Sequence, residues 1–379
     1  MGAYHQIGHD SKNLINDPLC SDFAGAILSP VNYDQSQTIG IIGSKPFSAF
    51  ECIFDPQFYV PNSSRGKLSE WSYFPANFDT SDQGSFSHWQ AINSALASTC
   101  STLGVEVVAS PCIVPKTYAS DYFDFLVAIG DHLKSIVPSK IGVLQTAVIP
   151  LNDLNSIDRV NELASVLTKS LSDGIYLVFY SEQGGRRELN DSGTLGLACQ
   201  LVNALSRSGM RVLVGYTGSD VILWKESGAS DCATGKFWNL RRFGPERWEE
   251  STSDGGGGQL PYWFEASLLG YLRELDLDRM LANASIPPTV LAAAPNAEIL
   301  SQRSADATKA WVALSWRQHM WWFSQLERDP AQGHATVQQY LRSAETKWEQ
   351  LEDVGFLMEE PRNNGRWIRP WRIALGSLP

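Results

Sequence analysis

The sequence predicts an α/β protein: a (β/α)8 TIM-like barrel followed by an α-helical C-terminal region. Three observations carry this. Short apolar runs recur along the chain, among them AGAILSPVNY (24–33), ECIFDPQFYVP (51–61), VEVVASPCIVP (105–115), IGVLQTAVIP (141–150), GIYLVFYSEQGG (174–185), RVLVGYTGSD (211–220) and GASDCATGKFWN (228–239). Each ends in polar or Gly/Pro residues. Helix-like stretches separate most of them, the pattern of parallel strands joined by crossover helices. Seven or eight such units close into a barrel whose chemistry sits at the C-terminal strand ends.

Seven strands are read at 24–32, 51–55, 105–110, 141–146, 174–180, 211–216 and 229–233. The eighth is expected from the polar region before Asp22 or from the segment near 38–43. Val160, Leu163, Leu167 and Leu171 share one helical face, with Ser156 as N-cap. Helices are also read at Asp121–Ile136, at Leu195–Leu205 and, briefly, at 220–228. The stretch 62–83 contains WSYFPANFD and is long for a connection inside a compact domain, which marks a lid or a packed loop.

A barrel takes about 250 residues, which leaves more than a hundred of the 379 for a second unit. The run STSDGGGGQLP (251–261) marks the boundary, since consecutive glycines hold no regular element. Residues 1–250 are therefore read as the barrel and 260–379 as a helical region packed on it. Val337, Leu341, Ala344, Trp348 and Leu351 follow helical spacing. Trp311, Trp316, Trp321 and Trp322 point to nearly all sides of another helix, the mark of a buried or interface helix. Core packing is the expected role of these tryptophans, and a protein partner on this region the alternative.

The net charge of −11 opposes non-specific binding to a nucleic-acid backbone over the whole surface but leaves room for a local basic groove. Cys20, Cys52, Cys100, Cys112, Cys199 and Cys232 form no CxxC pair and read as buried free thiols. With no apolar leader and no run of spanning length, a soluble cytoplasmic protein is expected. His5 and His9 have the spacing of a helical metal pair but lack a third ligand, so no metal and no cofactor are expected.

Asp55 closes its apolar run in IFDPQFY, either pointing into the barrel mouth or capping an Asp-Pro turn. Asp231 is read at or near the end of the last strand. Around it Lys236, Arg241 and Arg242 form a basic cluster, suited to phosphate or, on the bland reading, to surface salt bridges. Two strand-end carboxylates suit acid/base or nucleophilic work on a glycosidic bond. Gln145 offers an amide to a nucleobase edge. Gly215 and Tyr216 lie where a planar ligand would approach the backbone.

The motif order over roughly 24–245 resembles transglycosylases of the tRNA-guanine type, including the relatives that insert 7-deazaguanine into DNA. The resemblance rests on IFDPQF (53–58), VVASPCIVP (107–115), IGVLQTA (141–147), RVLVGYTGSDVIL (211–223) and GASDCATGKFWNLRR (228–242). It implies a barrel with Asp231 as the nucleophile at C1′ and Asp55 as acid/base beside the leaving base. By it Gln145 and the backbone around Gly215 would contact the base; Tyr216 and Cys112 are also read as substrate-binding, and Lys236, Arg241 and Arg242, from their own cluster, as holding the nucleic-acid backbone. The family's cysteine and histidine zinc motif is absent after Cys232, and its acidic guanine reader is absent from SPCIVP. The expected function is base exchange or base release on tRNA or DNA. The alternative is a catalytically altered barrel that binds a nucleobase or nucleic acid, or serves in a larger assembly. A third possibility is an unrelated barrel hydrolase or lyase on a small phosphorylated substrate.

Overall fold

The structure, a computed structural model, describes residues 2–61, 63–75, 82, 84–181, 188–248, 260–287, 290, 299 and 311–378. Eight parallel strands close into one barrel in chain order: β1 Ala3–Gln6, β2 Phe23–Leu28, β3 Glu51–Phe54, β4 Val107–Ala109, β5 Gly142–Pro150, β6 Gly174–Tyr180, β7 Arg211–Gly215 and β8 Asp231–Thr234. Closure is made by β1 against β8, with Ala3 opposite Cys232 and His5 opposite Thr234. The eighth strand is thus the polar segment before Asp22. Residues 38–43 instead belong to helix α1 (Gln35–Gly43), which opens on a capping box between Asp34 and Gln37.

The crossover helices follow the expected alternation: α2 Phe86–Leu103, α3 Tyr122–Ile136, α4 Ile157–Leu167, α5 Ser192–Arg207 and α6 Val221–Glu226. Ser156 caps α4 through the Arg159 amide. Helix α2 buries Trp89, Ile92, Leu96, Cys100 and Leu103 along one stripe and stops at Gly104, whose φ of +71° suits a left-handed C-terminal residue. The long 62–83 connection is a packed loop where it is described, with Leu68, Trp71, Tyr73 and Phe74 buried.

The β1–β2 connection carries two 3-10 turns, Lys12–Asn16 and Pro18–Cys20, in place of a helix. A C-terminal helix, Trp311–Arg328, covers that side and packs on β1, β8 and the second turn. Phe323 stacks on Phe23, and Arg317 pairs with Asp17 at 2.6 Å. The region after the barrel is not wholly helical. Strands β9 (Tyr262–Glu265) and β10 (Gly270–Arg273) form an antiparallel pair turned through Leu269, which sits at φ +50°. The Gln318 amide serves the free edge of β9 like a further strand, accepting from Phe264 N and donating to Phe264 O. Two short aromatic runs separated by four residues carry too little periodicity to announce this hairpin.

Chain order then gives α7 (Glu274–Ala282), α8 (Trp311–Arg328), α9 (Val337–Asp353) and α10 (Ile368–Gly376). Trp348 of α9 donates to Leu268 O, and Trp371 of α10 donates to Leu189 O across to the barrel side. Trp311 stacks on Trp263, and Trp322 is buried; Trp316 and Trp321 are half-exposed. The glycine-rich run lies outside the described residues up to 259. All six cysteines are buried and unpaired. No described helix is long and apolar enough to cross a membrane.

The barrel interior is closely filled, and Gly215 shows how. A Cβ there would lie 2.5 Å from the Tyr176 ring. The missing side chain makes room for Tyr176 rather than for a ligand. Gly215→Ala is expected to cost about 1–3 kcal/mol through overpacking, read as a lower urea midpoint with unchanged slope. Full stability would show that Tyr176 relaxes freely.

Candidate functional site at the barrel mouth

Parallel strands place all their first residues at one end of the barrel and all their last residues at the other. Asp231 is the first residue of β8, not its end, because only Ser227–Ser230 separate it from α6. It lies at the floor with the first residues of β3 and β7. Its carboxylate accepts from Arg211 Nε at 2.8 Å and from Gly2 N at 2.7 Å. Arg211 also holds Glu51 and Tyr4 OH, each at 2.7 Å. Asp231 is 1% exposed and satisfied within this knot. It ties β1, β3, β7 and β8 together at the end opposite the mouth.

Asp55 comes directly after β3 and lies at the mouth end. It is 2% exposed and accepts from Gln57 N at 2.9 Å and Tyr59 OH at 2.8 Å. Burial pushes its carboxyl from an ordinary 3.8 up to about 7, against the opposing pull of those two bonds and of Arg247. Tyr59, Tyr176 and Tyr216 surround it closely enough to be electrostatically coupled to it. Tyr176 donates to Gln6 Oε1 at 3.3 Å, while Gln6 Nε2, fully buried, has no protein partner among the described residues. The nucleophile and acid/base roles that the resemblance implies for Asp231 and Asp55 would need both to face one ligand, and they lie at opposite ends of the barrel. Of the groups read around such a ligand, Asp55 and Tyr216 meet.

Gln145 does not join them. Its Oε1 stands 1.9 Å from where a Cβ at Gly130 would be, so the side chain points outward to α3 and its Nε2 donates to Thr146 O. Strand alternation, off by one residue, sends it to the helical layer. Cys112 is buried in the wall, 3.4 Å from Tyr122 OH, and its thiol is pushed up to about 12 by burial. His5 is buried beside Phe23, with its imidazole held down to about 3 by desolvation and Lys236. His9 is exposed and lines a cleft above the barrel mouth. No cluster of three or more His, Cys, Asp or Glu able to hold a metal occurs among the described residues.

This cleft, of about 690 Å³, is not lined by Asp55. It brings together Arg65 from the long loop, Lys236, Arg241, Arg242 and Arg247 from the segment after β8, and Trp316 from α8. Arg241 and Arg242 belong largely to the frame. Arg241 donates to the Gly235 and Lys236 carbonyls and lies between Trp238 and Tyr271. Arg242 is paired with Asp220 at 2.8 Å and Glu188 at 3.4 Å. Arg65, Lys236 and Arg247 make no ion pair with a described carboxylate. Lys236 donates to Asp10 O at 2.6 Å and sits 4.2 Å from the Trp316 ring centroid. Desolvation lowers its pKa and that of Arg247. Glu246 is the acidic residue among the described lining. Arg247 joins the two levels, lining the cleft while its charge acts on Asp55 and the tyrosines below.

Sequence reasoning found Lys236, Arg241 and Arg242 but missed Arg65, Arg247 and Trp316. Arg247 was within reach, since RRFGPERW continues the same basic run. Arg65 joins the cleft through a loop packed from far along the chain, and Trp316 through a helix.

No family model and no curated protein matches the sequence. Among solved structures, a GH18 chitinase from Pseudoalteromonas aurantia shares 11% identity at TM-score 0.39, over 63% of this chain and 95% of that one. An L-ribulose 3-epimerase shares 14% at TM-score 0.37, over 93% and 97%. A structure of the tryptophan synthase α2β2 complex from Pyrococcus furiosus shares 14% at TM-score 0.28, over 60% and 96%. Likeness at this level says nothing about the site, whose chemistry is read from this chain.

Asp231→Asn is expected to lower stability on the order of 1–3 kcal/mol by weakening a buried charge-assisted bond, with ligand binding at the mouth unchanged. Chemical denaturation and a binding titration check this together; a loss of binding at full stability would contradict it. Asp55 sets a pH dependence. Between 3.8 and about 7 the folded protein retains a proton that the unfolded chain has released. Stability therefore falls as pH rises through this window and levels off above it. Glu188, also pushed up to about 7 by burial, contributes in the same sense. Asp55→Asn should flatten the fall between pH 5 and 7, measured as urea midpoints; an unchanged slope would contradict the assignment.

Proposed function

We propose that the protein is a transglycosylase-like barrel altered in its catalytic pair, which binds a nucleotide unit of a nucleic acid at the barrel mouth. The observation that supports it is the cleft of Arg65, Lys236 and Arg247 on a chain of net charge −11. Cations gathered against the overall charge focus a positive potential where an anion is held. Arg65 and Arg247 take the phosphate, and Trp316 offers a flat face already bearing Lys236. The base stays in the cleft above the aromatic layer, and Asp55 beneath that layer is coupled to it through the charge of Arg247 rather than by contact.

Base exchange through a covalent sugar intermediate needs a carboxylate facing C1′ as well as an acid beside the base. Asp231, at the floor, does not provide one. Binding, or a chemistry that needs one carboxylate, fits better than double displacement.

The test is binding of a fluorescent single-stranded oligonucleotide across a range of salt. Binding should weaken steeply with salt, at about −0.7 in the log–log slope per phosphate contacted. Arg65→Ala with Arg247→Ala should lower affinity about tenfold or more and flatten the slope by about 1.4. Absence of binding at low salt, or an unaffected double variant, would overturn the reading.

A further inference from the structure

A second cleft, of about 380 Å³, abuts the first and shares Trp238 and Tyr262 with it. Those two rings meet edge to face at 5.2 Å and form the ridge between the clefts. Beyond the ridge the lining includes Arg362, Asn364 and Arg366, from the turn that leads into α10. Both arginines are exposed, and neither makes an ion pair with a described residue. The acids of this cleft are already engaged. Glu188 pairs with Arg242 and accepts from Ser219 at 2.7 Å. Glu360 accepts from Tyr262 at 2.5 Å and pairs with Arg273 at 3.5 Å. Burial also pushes the Glu188 carboxyl up to about 7, which lessens its negative charge. The second cleft thus presents cations and amides to solvent, as the first does, across one aromatic ridge.

We infer that Arg362 and Arg366 form a second phosphate subsite, and that the ligand is a single-stranded nucleic acid long enough to cross the Trp238–Tyr262 ridge. This rests on the nucleotide reading of the first cleft and extends it. Cations on both sides of the half-exposed Trp238, which buried Tyr262 props from beneath, match a strand whose phosphates alternate with stackable bases. A duplex keeps its bases paired and stacked on each other and gains nothing from the ridge. An acidic peptide would be attracted to the arginines, but its Asp and Glu side chains carry no aromatic ring to stack on the ridge.

The experiment compares guanosine monophosphate with a single-stranded octanucleotide and its duplex, on the full chain and on two double variants. Arg362→Ala with Arg366→Ala should leave monophosphate affinity unchanged. It should weaken octanucleotide binding about fivefold or more and reduce the salt slope by about 1.4 for two lost contacts. The duplex should bind more weakly than the single strand. An octanucleotide affinity unaffected by this variant, an equal loss for the monophosphate, or equal binding of duplex and single strand would overturn the inference. Arg65→Ala with Arg247→Ala separates the two proposals: it should weaken both ligands. If it weakens both while the Arg362/Arg366 variant weakens neither, the mouth reading stands and the second subsite falls. If it weakens neither, the mouth reading itself falls.

Discussion

Everything in this molecule depends on the closure of eight parallel strands by the pairing of β1 with β8. Closure in one direction makes two unlike ends. The floor collects first residues, and here they are Glu51, Arg211 and Asp231, locked with Tyr4. The mouth collects the residues just past the strand ends, and here those are Asp55, Tyr216 and the basic segment after Thr234. A carboxylate three residues earlier or later in a strand changes ends, and with that changes from a possible reactant into a strut. Asp231 is such a strut. Its charge is compensated by Arg211, and its bond to Gly2 N holds the strand that closes the barrel.

The mouth stacks two environments. The lower one is dry and crowded with tyrosines, and its carboxyl is raised by desolvation rather than by a neighbouring charge. Burying so many polar groups is costly unless they bond to one another, and Gln6, Tyr176, Tyr59 and Asp55 largely do. The upper one is open and cationic. Aromatic packing from Phe243 and Trp248 onto Tyr59 separates them, and Arg247 is the residue that acts on both. An anion in the upper cleft therefore reaches Asp55 electrostatically through Arg247 without touching it.

The region after the barrel is part of this site rather than an appendage. Helix α8 covers the side left bare by the helix-free β1–β2 connection and supplies Trp316 to the cleft. The β9–β10 pair supplies Tyr262 and Tyr271, which hold Trp238 and Arg241 in place. The tryptophans accordingly divide between core, at Trp311 and Trp322, and rim, at Trp238 and Trp316.

By itself the sequence determined the barrel, most of its strands and helices, and the basic character of the segment after β8. These are local properties: apolar period, capping residues and charge along a run, all set by neighbours within a few positions. Tertiary structure alone decided which end of a strand each polar residue occupies and which face it takes. Gln145 and Asp231 show why. A shift of one residue moves a side chain from the barrel interior to the helical layer, and a shift of three moves it from mouth to floor. Both shifts lie within the uncertainty of a strand boundary read from sequence. Tertiary structure also decided the cleft, because Arg65, Arg247 and Trp316 come from distant parts of the chain. Their proximity is a consequence of packing that no local pattern encodes.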